Sequence, residues 1–550
     1  MNRPLLSAYL LAACALPALA GPDVTHSDLH DTAKYGPVSI GGSDVYGYAW
    51  GSNTCNIGNQ SLSWVNGGSP ALAMNAYRIF DGRIQQIGLG WCKHSCCVAN
   101  GNGCSTLTCS SVGTGLRPGC RDVYSASFNG GQGRLGPRSG INAYDSTFAP
   151  VPSFSGDAVS RRVQIGVKEM GAADLPNAQF FAEGVYVCLE EAPVDALNNA
   201  TYRRMTVANS GASPTFAWSV AGTSQVGRPA IYAWAEHGLG PNIPDPGVKV
   251  AVSDILGEGR LFMAGKVRSV AGGLYTYDYA IYNLNSHRSA ASFSVPLPAS
   301  ASFTAYRFAA PSYQVGEPYD NSPWVTSRSG DSLTIRTAQT FAQNPNSNPV
   351  RWGTLYAFSF TTNAAPATAL GNVNIGLFRP GTPATTPAAG LPLPCVGPIA
   401  QSPLAQISAC RDLPVNIEVA QLPSAFPLTY QWQVEDLLVP GTFTNVIDAP
   451  GPCGIAGATT ASLSFSCVTL SDQGLYRCIV SSTCGSTNSP TTQLNVCIGD
   501  FNCDGGIDGP DIESFFVAWS AAAPYADVDA SGGIDGTDIF LFLERWASGC

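Results

Sequence analysis

Residues 472–478 read Asp-Gln-Gly-Leu-Tyr-Arg-Cys, a D-x-G-x-Y-x-C run that opens a strand, with Tyr476 two residues before Cys478. Upstream, Tyr430-Gln431-Trp432 supplies an aromatic strand with a core tryptophan, and Val415, Ile417 and Val419 alternate as a half-buried strand does. The same signal recurs toward the N-terminus. Tyr275, Tyr277, Tyr279 and Ile281 alternate with Thr276, Asp278, Ala280 and Tyr282, and Gly272-Gly273 predicts a hairpin turn back to the strand around Val267. Residues 292–295 and 355–360 read as further strands. Composition agrees. The 550 residues include 59 Gly and 40 Pro, and only 12% are charged, against a usual figure of about 25%. Such a chain favours β-sandwiches joined by turns over helical bundles. The expected fold is mainly β, a series of sandwiches with one small all-α module at the C-terminus.

The length suggests several domains, and a hydrophobic content of 45% excludes a fully disordered chain. Residues 1–20 read as a secretion signal, with Arg3 before an apolar stretch and Ala18-Leu19-Ala20 as the cleavage pattern. Leu11-Ala12-Ala13-Cys14 offers a competing lipoprotein box. Residues 21–245 read as a β-rich domain and 246–378 as a second sandwich. Residues 379–394, with five Pro in 16, read as an exposed linker, and 395–497 as a third sandwich. No segment is apolar enough for a transmembrane helix. A net charge of −10 argues against a nucleic-acid partner. The chain has 18 Cys, six of them (Cys92, Cys96, Cys97, Cys104, Cys109, Cys120) between 92 and 120. In an exported protein that spacing predicts a disulfide-stapled loop. The chain is therefore expected to be secreted, extracellular or at the cell surface.

Residues 498–550 carry an internal repeat of period 27 and hold eight Asp, two Glu and one Arg, so most of the chain's negative charge sits there. Asp500, Asn502, Asp504, Asp508 and Asp511 align with Asp527, Asp529, Ser531, Asp535 and Asp538. Oxygens at loop positions 1, 3, 5, 9 and 12, with the backbone carbonyl of position 7 (Gly506 and Gly533), suit a hard cation such as calcium. Gly505 and Gly532 fall at position 6, where the turn is sharpest. Ile507 and Ile534 at position 8 are expected to bridge the loops. Ile512, Phe515, Phe516 and Trp519, repeated as Ile539, Phe542, Leu543 and Trp546, make one face of a helix after each loop. Two structural calcium ions are expected, offsetting the acidic charge.

This repeat resembles a dockerin module of the kind that ends a bacterial chain in Gly-Cys, here Gly549-Cys550. The resemblance implies two calcium ions and attachment to a cell-envelope or scaffold protein through residues 498–550. Positions 10 and 11 are Gly509-Pro510 and Gly536-Thr537, which depart from the partner-reading residues of cellulosomal dockerins. Cys550 is either an anchoring point or the partner of Cys503. Residues 395–497 resemble bacterial Ig-like domains, with Tyr476 as the corner tyrosine. The earlier strand lacks the usual Cys, so Cys478 is free or differently paired. The strand ends carrying Cys410 and Cys467 are expected to meet and bond.

No G-x-S-x-G, H-E-x-x-H or Walker loop occurs, and the G-x-G-x-x-G at 131–136 is followed by Pro137 and reads as a loop. No catalytic residue is assigned. His26 and His30 read as part of a frayed N-terminal segment, and His94 as a surface histidine. Glu183, Glu190 and Glu191 with Asp174 or Asp195 are the candidate carboxylate pair of a polysaccharide-active hydrolase. Trp64, Trp91, Tyr232 and Trp234 are a candidate sugar-stacking platform, although aromatic residues in a β-rich chain are more often core. The leading reading is a modular surface protein whose N-terminal region binds, polysaccharide among the candidate ligands, or serves structurally. The hydrolase is the alternative.

Overall fold

A computed structural model describes residues 21–549 except 107, 110–112, 212, 399, 401–402 and 420–425. Residues 1–20, which carry the expected secretion signal and Cys14, and Cys550 lie outside the described residues.

Residues 24–220 build an 11-stranded sheet whose main path runs from the Val24–Ile40 strand to Trp218–Val220. Both edges would expose unpaired backbone groups, and the sheet curls until they meet. The Thr32 hydroxyl donates to the Trp218 carbonyl at 2.6 Å, and Arg203 bridges to the Leu29 carbonyl at 2.6 Å and to Asp28 at 2.9 Å. Inside the curl lie Tyr48, Trp50, Leu72, Met74, Phe180 and Trp218.

The Ala71–Phe80 strand is buried on both faces, which explains its almost continuous apolar run. Leu72, Met74 and Ala76 face the interior of the curl. Ala71, Ala73, Tyr77 and Ile79 face outward into a second core. That core is shared with a five-stranded sheet containing Gly259–Val270, Leu274–Asn283 and Thr354–Thr362. The same alternation repeats there. Phe262, Ala264, Ala280, Tyr282, Leu355 and Ala357 face the shared core. Leu261, Met263, Tyr277, Tyr279, Ile281, Tyr356 and Phe358 face a third core, closed by another five-stranded sheet. The unit beginning near 249 is thus stacked on the N-terminal sheet through a common core.

The Pro-rich stretch at 379–394 is no exposed linker. Thr385–Leu391 is an edge strand paired with Gly371–Leu377, and Leu391 and Leu393 are buried. Pro lacks an N–H and is tolerated on an edge, so Pro387 fits where a central strand would exclude it.

A buried polar network pins the shared core. Arg138 is 2% exposed. Its guanidinium donates to the carbonyls of Gly90 (2.8 Å), Gly353 (2.8 Å) and Met74 (3.1 Å) and to Asn75 Oδ1 (2.8 Å). Asn75 also donates to the Gly353 carbonyl at 3.0 Å, and the Leu355 N–H donates to Gln86 Oε1 at 2.7 Å.

Residues 406–497 form two packed sheets. Gln406–Cys410, Thr492–Cys497, Gly474–Ser482, Thr429–Glu435 and Phe443–Asn445 make one path, and Val415–Glu418, Ser462–Phe465 and Ile455–Ala456 the other. Trp432 is fully buried and pairs across from Cys478, and the Tyr476 hydroxyl donates to the Asp472 carbonyl at 2.7 Å. That bond is the tyrosine corner of an Ig-like sandwich. Cys478 is buried and free. Cys410 does not bond Cys467. It ends a strand of the other sheet and reaches Cys503, while Cys467 bonds Cys453. A third bridge joins Cys395 to Cys484.

Replacing Arg138 by Met should remove four buried hydrogen bonds. The expected loss is about 3–5 kcal/mol, read as a shift of the fluorescence-monitored denaturant transition of the N-terminal body.

Candidate functional site

The two acidic loops fold as near copies. Gly505 and Gly532 have φ of +89° and +88°, a conformation that favours glycine and turns each loop. Asp500 accepts from the N–H groups of Asp504 (3.1 Å) and Gly505 (3.1 Å), and Asp527 from those of Ser531 (3.0 Å) and Gly532 (2.9 Å). Asp508 and Asp535 each cap the following helix, forming capping boxes with Asp511 and Asp538. Asp511 and Asp538 are fully buried yet also accept from Asn502 N–H (3.0 Å) and Asp529 N–H (3.3 Å). Each position-12 carboxylate therefore ties the helix start to the loop start.

The helices Gly509–Ser520 and Gly536–Ser548 pack through Phe515 and Phe542, whose rings stack at 4.2 Å. Each tryptophan crosses to the other repeat: Trp519 Nε1 donates to the Asp535 carbonyl at 3.2 Å, and Trp546 Nε1 to the Asp508 carbonyl at 2.8 Å. The apolar face is narrower than its periodicity suggests, since Phe516 and Leu543 stay about 39% and 38% exposed. Of the two position-8 isoleucines, Ile534 packs against this core.

Oxygens of Asp527, Asp529 and Asp538 lie within 4.8 Å of one another, the one such acidic group among the described residues. Hydrogen bonds from the Ser531 and then the Thr537 hydroxyl hold Asp529 down at about 2, so it stays ionised. In the first loop, position 3 is Asn502, and the Asp504 carboxylate turns toward Gly506 N–H (2.9 Å) and the Asn502 amide (2.9 Å). Gly506 and Gly533 stand at position 7 of their loops, and the Gly533 carbonyl accepts from Ser531 at 3.4 Å.

Sequence reasoning missed how the loops meet the Ig-like sandwich. Cys503, at position 4 of the first loop, is bonded to Cys410, and Arg411 donates to the Asp527 carbonyl at 2.7 Å. A pocket of about 260 Å³ lies between them, lined by Arg411, Asp412, Asp500, Phe501 and Tyr525. A cysteine inside an acidic loop was the available signal.

The N-terminal candidates scatter. Glu183 is fully buried and accepts from Tyr77 (2.6 Å), Asn75 (2.8 Å) and the Ala230 N–H (2.6 Å). Glu191 is buried beneath the Val24 N–H, at 2.7 Å, and the Asn199 amide. Glu190 is held by Ser63 at 2.8 Å, and Asp174 is exposed. Asp195 opens a short 3-10 helix. The two enclosed glutamates face packed protein, not a substrate cleft. Trp64, Trp91 and Trp234 are core residues, and Tyr232 packs against the shared core, so no stacking platform forms from them. His26 and His30 lie on a strand. His26 is fully buried over Gly184, where a Cβ would come within 2.1 Å of the ring, and burial lowers it to about 4. His94 is also buried, edge-on to Phe148.

The cysteine loop differs from expectation too. Cys109 bonds Cys120, but Cys104 reaches out to Cys55, and Cys92, Cys96 and Cys97 are free thiols. Beside them Lys93 is buried, its ammonium 3.5 Å over the Tyr124 ring. Burial lowers Lys93 to about 8 and raises Asp122 to about 6. Elsewhere, an open cleft of about 610 Å³ runs between the curled sheet and residues 309–312, lined by Arg78, Gln85, Gln164, Lys168 and Glu169.

No protein-family model matches the sequence, and no curated protein matches it. Among solved structures, the chain is similar to the tandem Ig repeats of Dlar at 12% identity, covering 41% of this chain and 89% of that one with a TM-score of 0.15. Extracellular domains 3–5 of Drosophila OTK give 12%, 46%, 88% and 0.17, and a chimeric titin Z1Z2-Z1Z2 tandem gives 13%, 40%, 90% and 0.15. The Ig-like assignment rests on this chain's own corner tyrosine, buried Trp432 and sheet pairing. Among the described residues no helix is long and apolar enough to cross a membrane.

Burial pushes Glu191 up to about 8. The folded chain then keeps a proton that the unfolded chain releases above its ordinary value. Stability should fall as pH rises from about 4.5 to about 8, by up to about 1.4 kcal/mol per unit. Glu191→Gln should flatten that slope, as checked by denaturation midpoints at pH 5 and pH 8.

Proposed function

We propose that this is an exported modular protein held at a surface or in an assembly through a calcium-loaded, dockerin-like C-terminal module. The stacked β body would present a binding or structural surface, with the Ig-like sandwich between it and the module. The observation that carries the reading is the convergence of Asp527, Asp529 and Asp538 in one of two loops that share turn, cap and helix packing. The donor set fits calcium: carboxylates and a hydroxyl or amide at positions 1, 3, 5 and 12, a carbonyl at 7, and glycine at 6. One ion would be held by Asp500, Asn502, Asp504, Gly506 and Asp511, with Asp508 outside them. A second would be held by Asp527, Asp529, Ser531, Gly533 and Asp538, with Asp535 outside. The ions would be structural, drawing together carboxylates that otherwise repel. Disulfides in both the β body and the Ig-like part support an oxidising, extracellular setting. The partner would be a cell-envelope or scaffold protein, and polysaccharide remains the first ligand class to test on the β body.

Calorimetric titration of the intact chain should give two calcium sites, and Asp500→Ala with Asp527→Ala should remove both. With terbium as probe, Trp519→Phe should dim sensitised emission from the second loop and Trp546→Phe that from the first. Absence of binding would overturn the calcium reading. On a panel of polysaccharides, depletion of the protein without release of reducing ends would support binding, and release would favour the hydrolase.

A further inference from the structure

Cys96 and Cys97 are neighbours in sequence, and their sulfurs stand 2.6 Å apart. That is far inside a non-bonded contact, which is about 3.5–4.0 Å even between carbon atoms. It approaches the covalent length of about 2.05 Å. We propose that Cys96 and Cys97 close on each other as a vicinal disulfide, the labile bridge of this chain.

The other free thiols are poorly placed to compete. Cys92, Cys188 and Cys478 are buried, whereas Cys97 is exposed and Cys96 half-buried. A metal is the other use for paired thiols, but no third His, Cys, Asp or Glu converges on this pair among the described residues. The backbone around the pair is pinned. The Gly67 N–H donates to the Ser95 carbonyl at 2.8 Å, Ser95 N–H donates to Gly68 at 3.2 Å, and Ala99 N–H donates to Asp122 at 2.7 Å. The two sulfurs are therefore held together rather than meeting by chance motion of a loose loop. Five other bridges are already closed in the described chain, so the surroundings that formed them would oxidise this pair too.

The exchange balances with a disulfide-bearing oxidant, R–S–S–R. The Cys97 thiolate attacks one of its sulfurs, forming a mixed disulfide and expelling one RS⁻. The Cys96 thiolate then attacks Cys97 Sγ and expels the second. Two thiols lose two protons and two electrons, and the oxidant becomes two thiols. Contact with Cys97, and then burial, raise the Cys96 thiol, and the charges of Arg134 and then Lys93 offset part of that rise. Adjacent Cα atoms are about 3.8 Å apart, short of the usual disulfide span of about 4.4–6.8 Å. A strained, exposed bridge is the kind that opens first. This gives the β body one redox-responsive point among bridges that resist reduction.

The test uses the intact chain purified without reductant, alkylated with N-ethylmaleimide in denaturant and analysed by peptide mass. The peptide holding both cysteines should be unlabelled and lighter than the dithiol by two hydrogen atoms. With graded dithiothreitol it should become doubly labelled at a concentration roughly tenfold below that needed for the other bridges. Cys92→Ser should leave the light peptide unchanged, and Cys96→Ser should leave Cys97 singly labelled. Labelling of both sulfurs in the unreduced chain, either one bonded to another cysteine, or opening no earlier than the rest would overturn the proposal. The wild-type mass decides the pairing even if a variant fails to fold.

Discussion

The packing of the N-terminal body depends on one buried guanidinium. Arg138 spends its hydrogen bonds on carbonyls from both stacked layers, Gly90 and Met74 on one side and Gly353 on the other. An apolar interface between two sheets tolerates sliding, because dispersion is non-directional. A charge in that interface does not, since any displacement leaves it unsatisfied at high cost. Asn75 and Gln86 extend the same constraint along the neighbouring strands. Glu183 joins the same layer through Asn75, Tyr77 and the Ala230 N–H, and its buried carboxyl is better explained by these bonds than by chemistry on a substrate.

At the other end, the acidic module shows how duplication replaces a large core. Its apolar centre is small, with Phe515, Phe542, Ala518, Ala526, Val528 and Ile498 as its buried members. Two repeats make up for this by reciprocity. Each loop caps its own helix, and each helix sends a tryptophan to the other loop. Neither repeat is complete alone, a usual condition for small modules that lean on metals or bridges.

Much of this was legible in the sequence where a pattern is local. Strand alternation around Tyr277, the D-x-G-x-Y-x-C run and the 27-residue repeat each reflect a period or a turn that a few neighbouring residues determine. The features that were not legible depend on contacts distant along the chain. The residues at 379–394 have the composition of a linker, yet pairing with Gly371–Leu377 makes them a strand. His26 sits near the N-terminus and looks solvent-facing, but the closing of the curled sheet buries it over Gly184. Trp64, Trp91 and Trp234 suit a stacking platform by type alone, and only the sheet stacking shows that they fill cores. The bonding of Cys410 to Cys503 links two segments that no local rule connects.

That last bond has a mechanical meaning. A pull on the C-terminal module would pass from Cys503 directly to Cys410, a sequence separation of 93 residues. The intervening chain, which includes most of the Ig-like sandwich, lies in a covalent loop outside the line of tension. The Cys395 to Cys484 bridge shortens a parallel route in the same way. Under load this segment would behave as an inextensible link. Stretching would fall instead on chain outside that loop.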